Sequence, residues 1–131
     1  MADAMLQRVA RMGDGWLPMG GQDEDAMATM QQSIVRLREY ASRAGRDPSE
    51  IGVELVIPYG KGDADTWRSQ AERAREIGAT HVQFSILAKG ITVDEYGTSI
   101  GEYVDRLHRF YDAVAPINAD VPAPAPVETE D

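Results

Sequence analysis

The residues whose types could do chemistry are few, and most fall in three glycine-bearing segments. Gly20 and Gly21 follow Trp16-Leu17-Pro18, Gly60 and Gly62 follow Tyr59, and Gly90 follows Lys89. Backbone amides in loops of this kind can approach a phosphate closely, and glycines there also simply make turns. Lys61 and Lys89 are the only lysines. Lys89 reads either as a cation for an anionic part of a cofactor or substrate, or as a solvated loop lysine. Tyr59 reads either as a hydrogen-bonding wall of a pocket or as a packed loop tyrosine. His81 and His108 are the two histidines, and His108 reads as solvent-facing. No pair of His or carboxylate residues has convincing metal-ligand spacing. The sequence nominates no Ser-His-Asp arrangement and no dinucleotide GxGxxG, so no catalytic residue and no metal ligand is expected.

These segments are held by elements that alternate. Met5, Val9 and Met12 recur at helical spacing and give a short first helix ended by Gly13. Trp16 and Leu17 read as a short buried strand closed by Pro18. Asp23, Glu24 and Asp25 suit a helix start, where carboxylates complement exposed N–H groups and the dipole. Met27, Met30, Ile34, Leu37, Ala41 and Ala44 continue as one apolar stripe that Gly45 stops. After the Asp47-Pro48 turn, Val53 to Ile57 supplies a β-branched run ending at Pro58 and read as apolar on both faces. Asp63 or Asp65 caps a helix with Trp67, Ala71, Ala74 and Ile77 on its inner side and Gly78 as its terminator. His81 to Leu87 is a third strand.

Thr92 and Glu95 have capping-box spacing, and the last helix carries Tyr96, Ile100, Tyr103, Leu107, Phe110 and Val114 on its apolar side. Gly97 and Gly101 cost about 1 kcal/mol each relative to alanine in a helix, so its first two turns are expected to be irregular. Residues 1–117 form the folded part, and 118–131 are expected to be a disordered Ala/Pro/acidic tail. Strands alternating with helices imply a parallel sheet with right-handed crossovers. The expected class is α/β, a helix followed by three βα units.

Of the 131 residues, 43% are hydrophobic and none is cysteine; the net charge is -9. This acidic balance opposes binding to a phosphate backbone, and Arg36, Arg38, Arg43 and Arg46 read as a solvated helix face, so nucleic acid is discarded as a partner. No apolar run approaches the roughly 20 residues needed to cross a bilayer. Met1 to Met12 is an interrupted amphipathic pattern, not a signal peptide, and a cytoplasmic protein is expected.

Three stretches carry a resemblance: Arg8-Val-Ala-Arg-Met-Gly-Asp-Gly-Trp-Leu-Pro18, Leu37-Arg-Glu-Tyr-Ala-Ser-Arg-Ala-Gly-Arg-Asp-Pro48, and Gly78-Ala-Thr-His-Val82. Together they resemble the luciferase-like monooxygenase family, flavin- or deazaflavin-dependent oxidoreductases built on a (β/α)8 TIM barrel, over Met5 to Val114. The resemblance implies that the three strands are the sixth, seventh and eighth of a barrel that needs roughly 250 residues when complete, so the chain is a partial barrel. It implies the deazaflavin coenzyme F-420, or less directly FMN, as cofactor. Barrel enzymes hold their active sites at the carboxyl ends of the strands, here 18–22, 58–62 and 87–91. Gly20, Gly21, Tyr59, Gly60, Lys89 and Gly90 are therefore the positions expected toward the coenzyme. Asp14 and His81 lie at the opposite ends, and Asp14 reads as a structural partner for Arg8, Arg11 or backbone amides.

In the family, a strand and glycine-containing loop before the Arg-x-Ala-Arg helix help to hold the coenzyme phosphate, and Met1-Ala-Asp-Ala stands in their place here. Function is then expected in one of two forms. The first is a segment that takes part in hydride transfer only when a complementing barrel fragment supplies five further strands, the coenzyme ring doing the chemistry. The second is a non-catalytic truncated paralogue that hides its apolar strand face in a homo-oligomer, helped by the adaptable surface of Met5, Met12, Met19, Met27 and Met30. For the isolated chain no activity is expected.

Overall fold

The structure, a computed structural model, describes residues 2–20, 23–59, 62–85 and 100–119. Helix α1 (Ala2–Met12), strand β1 (Gly15–Trp16), helix α2 (Glu24–Arg43), strand β2 (Gly52–Pro58), helix α3 (Ala64–Glu76), strand β3 (His81–Ser85) and helix α4 (Ile100–Val114) follow in that order. Short 3-10 turns lie at Pro48–Glu50 and Ala115–Asn118. The protein is mixed α/β, with an open sheet of three parallel strands in the order β1-β2-β3. Among the described residues no helix is long and apolar enough to cross a membrane.

The helix ends follow from local chemistry. Asp23 caps α2 by accepting the Ala26 N–H at 2.9 Å, and the acidic Glu24 and Asp25 occupy the first turn. Asp63, not Asp65, caps α3, accepting the Thr66 N–H at 2.9 Å and its hydroxyl at 2.7 Å. These two bonds, the backbone one first, hold the Asp63 carboxyl below its ordinary range. Asp47 is held low in the same way by the Ser49 hydroxyl and then by the Ser49 N–H. Gly45 and Gly78, at φ 75° and 98°, turn the chain out of α2 and α3 in the left-handed conformation that favours glycine.

The core lies on one face of the sheet. Side chains alternate along a strand, and on β2 it is Val53, Leu55 and Ile57 that are buried. Val53 and Leu55 join Leu6 and Ala10 of α1, Ile34 and Leu37 of α2, and Ala74 of α3 in one cluster. Ile57 joins Trp67 and Ala71 of α3 and Phe110, Ala113 and Val114 of α4 in a second. Glu54 and Val56 take the opposite face and are half-buried, so β2 is not apolar on both faces. The central turns of α2 and the inner side of α3 are buried as their periodicity predicts, whereas Ala44 at the end of the α2 stripe is exposed.

Three faces differ from expectation. On α1 the buried residues are Leu6 and Ala10, while Met5 and Met12 are exposed. The small Ala10 permits a close approach to α2 that a methionine in its place would not. Leu17 is exposed, and β1 is Gly15–Trp16. On α4, among the described side chains of the expected stripe, Phe110 and Val114 are buried while Ile100 and Leu107 are exposed, because the helix turns Phe110, Ala113 and Val114 toward α3 and β3. Leu87, Thr92, Glu95, Tyr96, Gly97 and residues 120–131 lie outside the described residues.

The arginines are clasps and not merely a solvated face. Arg38 donates to the carbonyls of Pro48 at 2.9 Å and Gly78 at 3.1 Å, tying α2 to the turns before β2 and after α3. Arg46 donates to the carbonyls of Gly13 at 2.8 Å and Ala10 at 3.3 Å, closing the end of α1. Arg36 pairs with Asp3 at 3.0 Å. Arg43 alone of the four is mostly solvated, 3.8 Å from Glu39. These carbonyls lie at helix ends and turns, where the backbone ladder leaves acceptors to be satisfied by side chains; that of Pro48 also accepts the Ile51 N–H at 3.4 Å.

Candidate functional site

At the carboxyl end of β2 the chain runs into Tyr59, and the geometry there is dominated by packing. The Tyr59 N–H donates to the Ser85 carbonyl of β3 at 2.6 Å, and its own carbonyl accepts from Gly62 N at 3.2 Å and from Trp67 Nε1 at 3.3 Å. Its ring lies 5.4 Å from that of Trp67 and 5.6 Å from that of Phe84, and Phe84 stacks on Phe110 at 4.3 Å. The Arg106 guanidinium sits 4.9 Å from the Tyr59 ring centre, a cation-π contact that holds a positive charge at this end of the sheet. Tyr59 thus belongs to an aromatic group with Trp67, Phe84 and Phe110 that joins the end of β2 to β3, α3 and α4.

Gly20, past β1, is exposed, and a Cβ there would lie 3.1 Å from Met30 Cε. At Gly62 a Cβ would come within 2.6 Å of Trp67 Nε1 and 3.3 Å of the Tyr59 carbonyl oxygen. The space that the missing side chains leave is therefore taken by Met30 and Trp67. These described residues do not on their own compose a phosphate cradle for F-420 or FMN. Gly21, Gly60, Lys89 and Gly90 lie outside the described residues. Because the Trp67 indole is a large buried ring and not a flexible end, Gly62→Ala is expected to displace it. A stability loss of about 1–3 kcal/mol should appear in urea unfolding; an unchanged midpoint would show that the loop relaxes at no cost.

The face of the sheet opposite the described helices is the part that periodicity could have revealed. Strand register aligns Glu54 with His81, Val56 with Gln83 and Pro58 with Ser85, and aligned residues share a face. The face away from the helices therefore carries Glu54, His81, Gln83 and Ser85 around Val56. The signal was present as a single carboxylate inside an apolar run, which alternation assigns to the side opposite Val53, Leu55 and Ile57. At the amino end of this face Asp14, Gly15, Trp16, Gly52, Glu54 and His81 help to line a depression of about 310 Å³. A second, of about 420 Å³, lies beside the amino end of β3 against Arg75, Thr80, Val114 and Ile117.

Neither depression holds a reactive arrangement. His81 Nδ1 is 2.8 Å from Thr80 Oγ1, and that hydroxyl also accepts the Val53 N–H at 2.8 Å, so His81 is tied to the turn that starts β3. Asp14 forms no ion pair with Arg8 or Arg11 among the described residues; its carbonyl accepts the Gly52 N–H at 2.9 Å and sets the β1–β2 register. His108 is exposed on α4. No group of three or more His, Cys, Asp or Glu able to hold a metal occurs among the described residues. What the arrangement offers is a polar, partly apolar sheet face backed by a packed helical layer. Comparison of the chain with family models, with curated proteins and with solved structures returned no match.

Proposed function

We propose that the chain forms one arc of a luciferase-like (β/α)8 barrel and contributes to an oxidoreductase whose deazaflavin site, F-420 in preference to FMN, is completed by strands from another segment. One observation supports this reading above the rest: the strands step in one direction, β1-β2-β3, and both buried clusters lie on a single face. Right-handed crossovers that keep stepping the same way leave every helix on one side. A doubly wound sheet reverses its strand order and places helices on both. An arc with its helices on one side leaves the other face, with Val56 among Glu54, His81, Gln83 and Ser85, for further strands to close over, as one wall of a barrel would. The loops holding Gly20, Gly21, Tyr59, Gly60, Lys89 and Gly90 would then line the coenzyme end.

Coenzyme retention tests this. The purified chain alone is expected to elute from a sizing column without F-420 or FMN. The same chain purified from its native cells is expected to carry a partner of βα type together with deazaflavin absorbance. Coenzyme at one per chain in the isolated protein would overturn the need for completion, and absence of coenzyme from both preparations would overturn the oxidoreductase reading. The second reading, a self-associating module without catalysis, is favoured by the exposed apolar residues of α1 and α4, Met5, Met12, Ile100 and Tyr111.

A further inference from the structure

Helix α4 carries a second apolar stripe besides the one that packs. Its core face is Phe110, Ala113 and Val114. Ala113 is on the α3 side, where its carbonyl accepts Arg68 Nε at 3.1 Å, and Phe110 stacks on Phe84 of β3. Further round, past β3, stand Ile100, Val104, Leu107 and Tyr111, which are 85%, 39%, 37% and 67% exposed. Their steps of four, three and four residues fall within about 60° of the helix circumference at 100° per residue, the spacing of a coiled-coil seam.

From this geometry we infer that the chain pairs with a second copy of itself through this stripe, the two α4 helices running antiparallel. The spacing reads the same in both directions. A two-fold axis level with the point between Asp105 and Arg106 sets Ile100 against Tyr111 of the second copy and Val104 against its Leu107. An isologous interface requires this self-complementarity, and a partner of unrelated sequence would not. The four side chains expose roughly 400 Å² per copy, and contiguous apolar patches beyond a few hundred Å² mark interaction surfaces. Doubled and extended by flanking residues, this approaches the ~1,000 Å² of the smallest specific interfaces, so the dimer is a weak, micromolar one. Each copy carries a net charge of -9; salt screens that repulsion and tightens the pair, whereas it would weaken pairing with a basic partner. The pairing uses the flank beside β3 on which the arc reading adds its next strand, so self-pairing and completion exclude one another.

Sedimentation velocity on the coenzyme-free chain, from low micromolar to a few hundred micromolar, is expected to show a reversible monomer–dimer equilibrium that strengthens with salt. Val104→Glu and Leu107→Glu, both at sites already more than a third exposed, should raise the dissociation constant about tenfold or more with circular dichroism unchanged. Met5→Glu and Met12→Glu on the opposite flank should leave it alone. The chain has no cysteine, so a mixture of Val104→Cys and Leu107→Cys chains should oxidise to the mixed disulfide in preference to either self-disulfide. A monomer throughout, dimerisation lost only in the Met5 and Met12 variants, or preferential self-disulfides that signal parallel helices would each overturn the proposal. Pairing is read without coenzyme and the arc by coenzyme retention, so either can fail alone.

Discussion

Trp67→Ala is expected to cost about 3–5 kcal/mol, the range for removing a buried aromatic ring, and to leave the chain close to unfolded at room temperature. Trp67 is almost fully buried, and it is the residue on which the second cluster is assembled. Its ring lies 6.0 Å from both Phe84 and Phe110, and its Nε1 donates to the Tyr59 carbonyl at 3.3 Å. Truncation opens a cavity bordered by three rings and strips a donor from the carbonyl at the carboxyl end of β2. Against a total stability of roughly 5–15 kcal/mol for a domain, that loss is decisive. Urea unfolding followed by far-ultraviolet circular dichroism measures it. Trp67→Phe keeps an aromatic ring and loses the Nε1 bond, worth about 1 kcal/mol, so it should recover most of the deficit. If Trp67→Ala unfolds at the wild-type midpoint, the aromatic group does not join α3 and α4 to the sheet.

Leu37→Ala is expected to cost about 2–5 kcal/mol, because Leu37 is fully buried at the centre of the first cluster, between α1, α2 and β2. The two clusters share no fully buried residue; the partly buried Val82 touches both. Their single costs should therefore add within about 0.5 kcal/mol, and the double variant should not fold. A double variant no worse than the poorer single one would mean that the two clusters unfold in separate steps, which two denaturation probes, Trp16 in the first cluster and Trp67 in the second, would resolve in the parent chain.

Legibility in the sequence followed how many neighbours decide a residue's place. Helix α3 was readable to the residue: Trp67, Ala71, Ala74 and Ile77 form one stripe that only one face could bury, and all four are buried. Met27, Met30, Ile34, Leu37 and Ala41 of α2 were as clear, and the stripe failed only at Ala44, the exposed C-cap one residue past the helix. Helices α1 and α4 each offered two stripes of comparable apolarity. The choice between Met5–Met12 and Leu6–Ala10 was settled by a close contact with α2, a tertiary fact that periodicity does not contain. The arginine clasps were invisible for the same reason, since Pro48 lies ten residues and Gly78 forty from Arg38. Among the expected coenzyme positions, Gly20 and Tyr59 are described: Gly20 lies beside Met30, and the Tyr59 ring packs against Trp67 and Phe84.

Among the described residues the elements run from a helix, α1 ahead of β1, to a helix, α4 after β3. On the covered side α1 joins the cluster against which Trp16 of β1 packs, and α4 reaches β3 through Phe110 on Phe84, so a helix stands by each outer strand of the order β1-β2-β3. Were a second copy to add its β1 along β3, head to tail, its own α1 would arrive where α4 already stands, and the strands could not close to hydrogen-bonding distance without displacing one of the two. Endless edge-to-edge growth, the usual hazard of a bare parallel sheet, is opposed by bulk alone, with no charged gatekeeper needed on the strands. A short arc of this kind is expected to stay dispersed in concentrated solution, which light scattering over a concentration series would check.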